Sequence, residues 1–158
     1  MTSPARARCR QRPRRQSGLY ALEFAFVFLM LFGLLYASLC FGLMFAFRAG
    51  LQNAAEDGAR AALRYQVDMP SRTGRANAVA LERTVGWLPV RPTVATQVCA
   101  VETGLCATPA CGLEWTQRCQ IVVTVTATGM HRVLPALNFA MPDTLTGRAT
   151  LLLDGRSL

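Results

Sequence analysis

The stretch FAFVFLMLFGLLYASLCFGLMFAF, residues 24–47, determines how the whole chain is organised. Its only polar groups are the hydroxyls of Tyr36 and Ser38 and the thiol of Cys40. As one helix it would be roughly 36 Å long, enough to cross a hydrocarbon core of about 30 Å with some tilt. The apolar part of a signal peptide is shorter, about 7–15 residues. We therefore predict a transmembrane helix over residues 19–47; the alternative is an unusually apolar core helix of a soluble protein.

Positive charge is concentrated in front of this helix. The chain has 17 basic residues, all arginine, against nine acids, and a net charge of +8. The first 18 residues contain no acid and six arginines: Arg6, Arg8, Arg10, Arg12, Arg14 and Arg15. A basic segment beside a span predicts a cytoplasmic N-terminus and an exported C-terminal part. An arginine arm for nucleic acid is the alternative, but no aromatic residues interleave with these arginines, so no nucleic-acid partner is expected.

The helix is predicted to continue beyond the membrane over residues 48–65, which are rich in good helix formers. One side is lined by Leu51, Ala55, Ala59 and Ala62, and another by Gln52, Glu56, Arg60 and Arg64. Gly50 and Gly58 weaken this prediction. Pro70 is expected to end the helix, and residues 71–74 to form a loop. A second helix is predicted from Arg75 to Val85, stopped by the glycine and proline that follow.

Strand signals begin after Pro92. Residues Thr93 to Val101, 120–127 and Leu145 to Leu153 are rich in Val, Thr, Ile and Leu, and each is predicted to form a strand. Residues 129–143 are expected to be irregular. The fold class is therefore α+β: a long N-terminal transmembrane helix that extends into a small domain of helix plus antiparallel sheet over residues 66–158. A core of this size benefits from covalent staples.

Four cysteines lie in the exported part: Cys99, Cys106, Cys111 and Cys119. In an oxidising compartment they predict two disulfides, and three connectivities are possible. Cys99 and Cys119 stand at the ends of predicted strands, where a bond between them would tie neighbouring strands. Zinc binding is the alternative, but the spacing lacks a Cys-x2-Cys pair. Free thiols are a third possibility, and no metal is expected.

No convincing catalytic constellation is present. His131 is the single histidine, and no motif connects it to a serine or cysteine nucleophile. Glu56 and Asp57 are adjacent on a predicted helix and point in different directions, so they do not form a facing acid pair. We expect no enzymatic activity and no cofactor.

Two features of the apolar helix are candidates for function. Ser38, Gly42, Ala46 and Gly50 recur at every fourth position, a pattern that lets helices approach closely in lipid, although it also arises by chance. Glu23 is a carboxylate stranded at the start of the span. A charge at the centre of a spanning helix costs about 2.5–3.5 kcal/mol and less near the interface. Glu23 is either a functional acid or a first-turn residue that complements the helix dipole.

Motifs around this helix carry a resemblance to a known family. Gly18 closes the basic leader, Glu23-Phe24 follows four apolar residues, and LQNAAEDGAR occupies residues 51–60. This arrangement resembles the TadE-like pseudopilins of tight-adherence (Flp, type IVb) pilus systems over roughly residues 14–64. The resemblance implies a pilin-like fold and removal of leader 1–18 by a prepilin peptidase that cuts between Gly18 and Leu19.

The resemblance also implies a function. The chain would be a minor pilin or pseudopilin that assists pilus assembly, held in the bacterial inner membrane with its C-terminal domain in the periplasm. Its partners would be the prepilin peptidase, other pilins, the assembly platform and membrane lipid. Glu23 of one subunit would pair with the new amine of Leu19 in a neighbour. The alternatives are an uncleaved, membrane-anchored accessory or adhesive-binding protein, and a tethered enzyme that uses His131 or the cysteines.

Overall fold

The computed structural model describes residues 17–106, 109–132 and 142–153. It divides into two compact units with their boundary between Leu39 and Cys40. The order of elements is helix α1, helix α2 and strands β1, β2 and β3, with short 3-10 turns before and after β2. The predicted leader lies outside the described residues, except for its end at residues 17 and 18. The α+β class is confirmed.

Helix α1 runs without a break from Ser17 to Ala62. It therefore includes the apolar stretch and most of the predicted extension. It ends three residues before the predicted end at residue 65, because the next two N–H groups bond to carbonyls three residues back, Leu63 to Arg60 and Arg64 to Ala61. The last carbonyl is also taken by a buried arginine, since Arg72 Nη1 donates to Ala62 O over 2.9 Å. A cation at this position is stabilising because it lies at the negative end of the helix dipole.

The start of the second helix differs from the prediction. Helix α2 spans Met69–Glu82, so Pro70 lies in the first turn of this helix and does not end the previous one. Residues 71–74, predicted as a loop, lie inside α2. The reason is local: the Asp68 carboxylate accepts a bond of 2.8 Å from Ser71 N–H, and a proline in the first turn lacks only an N–H that would have no helical partner. The helix also ends at Glu82, before the predicted Val85.

The three strands form one antiparallel sheet in the order β1-β2-β3. They span Thr93–Ala100, Cys119–Thr128 and Thr144–Leu152. The predicted strands are thus confirmed to within a residue at each end. Thr96 of β1 stands opposite Val123 of β2, which stands opposite Ala149 of β3. These three residues therefore lie on the same face of the sheet. The β-branched side chains on that face of β2 are fully buried.

The core lies between this face of the sheet, α2 and the part of α1 that follows Cys40. The predicted apolar side of the helical extension is fully buried: Leu51, Ala55, Ala59 and Ala62. Glycines set the closest approaches. A Cβ on Gly58 would lie 2.9 Å from Ala76 O in α2, and a Cβ on Gly147 in β3 would collide with the backbone of Leu51. These two glycines let α2 and β3 come into direct contact with α1.

One side chain of α1 pairs with the outer edge of β3. Gln52 Nε2 donates to Arg148 O, and Arg148 N–H donates to Gln52 Oε1, each over 3.0 Å. The amide of Gln52 therefore satisfies the backbone donor and acceptor that Arg148 turns away from β2. The register between α1 and the sheet is fixed by this pair as well as by apolar packing.

Candidate functional site

The predicted processing site lies at the start of the described part of α1. Ser17 is the first residue of α1 that the structure describes, and the bond between Gly18 and Leu19 follows it directly. Gly18 has open space around its Cα, and the Leu19 side chain is 76% exposed. The residues on both sides of the predicted cleavage site are therefore exposed within the described chain.

Glu23 lies one turn further along the same exposed surface. Its side chain is exposed, and within residues 17–106, 109–132 and 142–153 it forms no ion pair. It stands four residues after Leu19, on the same side of α1. A carboxylate at this position is available to a positive group from another molecule or at the start of its own helix.

The surface that follows Glu23 is apolar and uncovered. Phe24, Phe28 and Phe32 stack in a ladder with ring centroids 6.0 and 5.9 Å apart, and each ring is more than half exposed. Such a surface is unfavourable in water, because burying each large apolar side chain is worth about 1.5–3 kcal/mol. The structure has one described helix long and apolar enough to cross a membrane, Gly18–Ala62, and its most apolar window has a mean hydropathy of 2.4. This helix suggests a single-pass membrane anchor.

The small-residue stripe is only partly open. Ser38, Gly42 and Ala46 are exposed, and nothing in the described chain approaches within 4 Å of a Cβ placed on Gly42. The Ser38 hydroxyl donates to Leu34 O over 2.8 Å. Because this hydrogen bond lies within α1, the hydroxyl stays satisfied in an apolar environment. The fourth member differs, because the ring of Trp87 covers Gly50 so closely that a Cβ there would collide with it. The surface available to another helix is therefore Ser38, Gly42 and Ala46.

The cysteines form two local disulfides. Cys99 is bonded to Cys106, and Cys111 is bonded to Cys119. The possible bond between Cys99 and Cys119 does not occur, because each of these strand-end residues pairs with a cysteine of the connecting segment. All four sulfurs are used, so none is available as a zinc thiolate. Cys40, in α1, is buried and free.

The remaining polar groups form surface pairs. Asp57 is held by Arg83 over 3.0 Å, and Arg60 approaches both Glu56 and Asp57 at 3.6 and 4.0 Å. His131 Nδ1 bonds to the carboxylate of Asp143 between β2 and β3. Within the described residues no group of three or more His, Cys, Asp or Glu is arranged to hold a metal. The pair of Asp57 with Arg83 joins α1 to the end of α2, whereas the two contacts of Arg60 lie within α1.

Three residues that organise these surfaces carry no sequence signal of their own. Trp87 on Gly50 and Gln52 on β3 join residues far apart in the chain, and Arg72 joins α2 to the end of α1 ten residues earlier. Only Gln52 lay on a predicted helix face, and nothing in its spacing indicated a strand partner. Asp68 is different: an Asp two residues before a proline is a recognisable helix start.

The geometry defines a class of protein: a long, exposed apolar helix that suggests a membrane anchor, continued into a small disulfide-bonded α+β domain. Residues 18–60 match the family model of TadE-like protein, a segment that lies within α1 and starts at Gly18. The resemblance found in the sequence is confirmed over that segment. No curated protein and no solved structure matches the chain. The family match suggests involvement in tight-adherence pilus systems, and this family is structural and not enzymatic.

Proposed function

We propose that this protein is a minor pilin or pseudopilin that assists assembly of a Flp-type pilus after cleavage between Gly18 and Leu19. The observation that carries the proposal is the family match over residues 18–60, which begins at Gly18. The domain after α1 would lie in the periplasm, an oxidising compartment in which its two disulfides are stable. Other pilins and the assembly platform would be its partners.

The geometry of α1 supports a role in assembly by helix packing. Cleavage would remove six arginines and leave an amine on Leu19 with an ordinary pKa of about 7.7–8.0. In an array of copies, that amine would pair with Glu23 of a neighbouring subunit and offset the cost of a carboxylate in the membrane. Ser38, Gly42 and Ala46 would allow another helix to approach closely.

The size of the exported part favours a minor subunit. Residues 66–158 add a second helix and a three-stranded sheet to the N-terminal helix. The resemblance is to a system whose bulk pilins are very short, so a chain with this added domain is suited to starting or regulating a fibre.

The proposal is tested by the intact mass and N-terminal sequence of protein extracted from membranes of cells that make the prepilin peptidase. We expect a mature chain that starts at Leu19. Cells with an inactivated peptidase should keep the full-length chain. The variant Gly18→Asp should also stay uncleaved, because a charged side chain replaces the hydrogen next to the scissile bond.

A matched control is Gly33→Ala, a change at another exposed glycine of α1 with no neighbour within 4 Å. It should be cleaved as the natural chain is. Normal mature protein from Gly18→Asp would refute the site. A natural chain that keeps its leader in the presence of active peptidase would favour the second candidate, an uncleaved accessory or adhesive-binding protein anchored by the apolar helix.

A further inference from the structure

The segment that connects α2 to β1 has an unusual composition. Residues 83–92, RTVGWLPVRP, contain two arginines, four large apolar residues and no acid. We refer to this segment as the Trp87 loop. Basic and apolar residues together are typical of segments that lie at the surface of a membrane.

Trp87 fixes the height of this loop along α1. Its ring stacks on Phe47, with centroids 6.3 Å apart, and covers Gly50. Phe47 ends the apolar run, and Arg48 is the first charge after it. Gly50 lies three residues beyond Phe47, about 4.5 Å further along the helix axis. The headgroup layer on each side of a bilayer is roughly 5–8 Å thick, so the Trp87 ring falls within that layer when the apolar run spans the hydrocarbon core.

The loop keeps apolar surface exposed at this height. Val85 is 78% exposed and Trp87 is 37% exposed, and Leu81, on the last turn of α2, is 41% exposed. Leu88 and Val90 pack against the core and hold the loop in place. Between them lies an open depression of about 560 Å³ with mostly apolar walls. The Trp87 loop thus exposes apolar side chains next to the point where Trp87 contacts α1.

The polar groups of the loop are compatible with a lipid surface. Trp87 Nε1 donates to Arg83 O over 2.6 Å, so the indole can leave water without an unsatisfied donor. Arg83 is paired with Asp57. Arg48 and Arg91 are exposed, and neither has an ion pair within the described chain. Two unpaired arginines beside an apolar surface at this height complement anionic headgroups.

We propose that the Trp87 loop is a second membrane contact, lying in the headgroup layer where α1 leaves the bilayer. Val85 and Trp87 face the boundary with the acyl chains, and Arg48 and Arg91 face anionic lipid headgroups. Tryptophan is enriched at this boundary because its ring is amphipathic. The inference rests on the membrane span of α1, but on neither cleavage nor pilus assembly.

The chain contains a built-in control for a fluorescence test, because its only other tryptophan is Trp115. Trp115 is 75% exposed and stacks under Arg118. It lies beyond Ala100, at one end of β1. The Trp87 loop joins β1 at the other end, at Thr93. The eight residues of β1 separate the two ends by roughly 23 Å.

The experiment uses the full chain in vesicles of phosphatidylcholine and phosphatidylglycerol, with bromine atoms placed either near the carbonyl end or near the tip of the acyl chains. In the Trp115→Phe variant the tryptophan emission comes from Trp87 alone, and in the Trp87→Phe variant it comes from Trp115 alone. We expect blue-shifted Trp87 emission that is quenched more by the shallow bromines than by the deep ones. Trp115 should be quenched by aqueous iodide and not by brominated lipid.

Two exposed valines provide a matched pair of substitutions in the Trp115→Phe background. Val85→Asp should shift Trp87 emission to the red and reduce its quenching by brominated lipid, because a charge then opposes contact with the acyl chains. Val67→Asp should leave both unchanged. Val67 is 89% exposed but lies between α1 and α2, beyond the far end of α1.

Insertion of α1 is measured separately, by flotation of the vesicles and resistance to alkaline extraction. Inserted protein whose Trp87 is not quenched by brominated lipid would overturn the inference while leaving the anchor intact. Protection of Trp87 that grows with the protein-to-lipid ratio, without quenching by brominated lipid, would indicate a neighbouring copy and would also overturn it. Failure of α1 to insert would remove the anchor and the inference together.

Discussion

At the scale of single residues, glycines decide how closely the elements of this chain pack. In the sequence, Gly50 and Gly58 count against a helix, because glycine is a poor helix former. In the structure both lie in an unbroken α1, Gly50 under the Trp87 ring and Gly58 against α2. Their cost to the helix is offset by contacts that only a residue without a Cβ permits. Such contacts join residues distant in sequence, so local pattern gives no indication of them.

Gly58→Ala is expected to lower the free energy of unfolding by about 1–3 kcal/mol, the usual cost of overpacking a close contact. The added Cβ would lie 2.9 Å from both Ala76 O and Ala80 Cβ, and neither atom belongs to a flexible side chain. Urea unfolding of the chain in detergent micelles, followed by tryptophan emission, measures the change.

The matched control is Gly74→Ala, inside α2 with nothing within 4 Å of the new Cβ. It should raise the free energy of unfolding by about 0.5–1 kcal/mol through helix propensity alone. Equal effects of the two substitutions would mean that α1 and α2 are not in contact at Gly58.

At the scale of elements, the sequence is informative where the signal is local. The length of the apolar run predicts α1, and runs of β-branched residues predict the three strands to within a residue. The predicted start of α2 is wrong because Pro70 is not a stop signal. Proline is equally compatible with the first turn of a helix, and Asp68, two residues earlier, distinguishes the two cases.

The start of α2 should depend on pH through Asp68. Hydrogen bonds from the side chain and the backbone N–H of Ser71 hold the pKa of the Asp68 carboxyl below its ordinary value. A lowered pKa in the folded state gives stability that is present above the unfolded pKa, about 3.9, and is lost as the pH falls through the folded value. The protection factors of amides in the first turn of α2, which compare exchange with that of an unstructured peptide at the same pH, should therefore fall below about pH 4.

Two substitutions distinguish the effect of the Asp68 charge from that of the hydrogen bond by which Asp68 caps α2. Asp68→Asn keeps an oxygen that accepts from Ser71 N–H and should remove the pH dependence while retaining protection near neutral pH. Asp68→Ala should lose protection at every pH. If Asp68→Asn still showed the same acid-induced loss of protection, another group would be responsible for it.

The disulfides also belong to the scale of elements. Four cysteines allow three pairings, and their spacing does not choose among them. In the structure each strand-end cysteine bonds to a partner seven or eight residues away in the connecting segment. Each bond should contribute about 2–3 kcal/mol by restricting the unfolded chain.

Non-reducing peptide mapping tests this connectivity. Cleavage after Glu102 and Glu114 places Cys99 and Cys119 on separate peptides, with Cys106 and Cys111 together between them. We expect all three peptides to remain joined until they are reduced. A bond between Cys99 and Cys119 would instead release the middle peptide. In Cys106→Ser, the newly alkylated thiol of the denatured chain should be that of Cys99, which excludes the third pairing.

At the scale of the whole molecule, the family resemblance can be predicted from the sequence, whereas contacts between distant residues cannot. The family motif is a contiguous segment, residues 18–60, so it could be recognised without a structure. The contact of Trp87 with Phe47 joins residues that are 40 positions apart and required the fold. The membrane anchor was therefore predictable from sequence, whereas the second membrane contact proposed for the domain was not.

The role proposed for Glu23 belongs to the scale of an assembled array. We expect Glu23→Ala to leave cleavage and membrane insertion intact and to reduce strongly the number of pili per cell, because the charge that would meet a neighbouring Leu19 amine is gone. Glu23→Gln should resemble it, since it keeps the size and loses the charge. Electron microscopy counts the pili, and N-terminal sequencing monitors cleavage. Unchanged pili in both variants would exclude the pairing.

The side-chain amide of Gln52 forms with Arg148, in the middle of β3, the two hydrogen bonds that a neighbouring strand would form there. An edge strand with free N–H and C=O groups is a template on which further chains add to a sheet. Because Gln52 occupies the donor and the acceptor of Arg148, a second chain must displace it before it can extend β3 in register. Addition of a further strand to β3 is thereby opposed at Arg148, and strand addition of this kind is the route to cross-β fibrils.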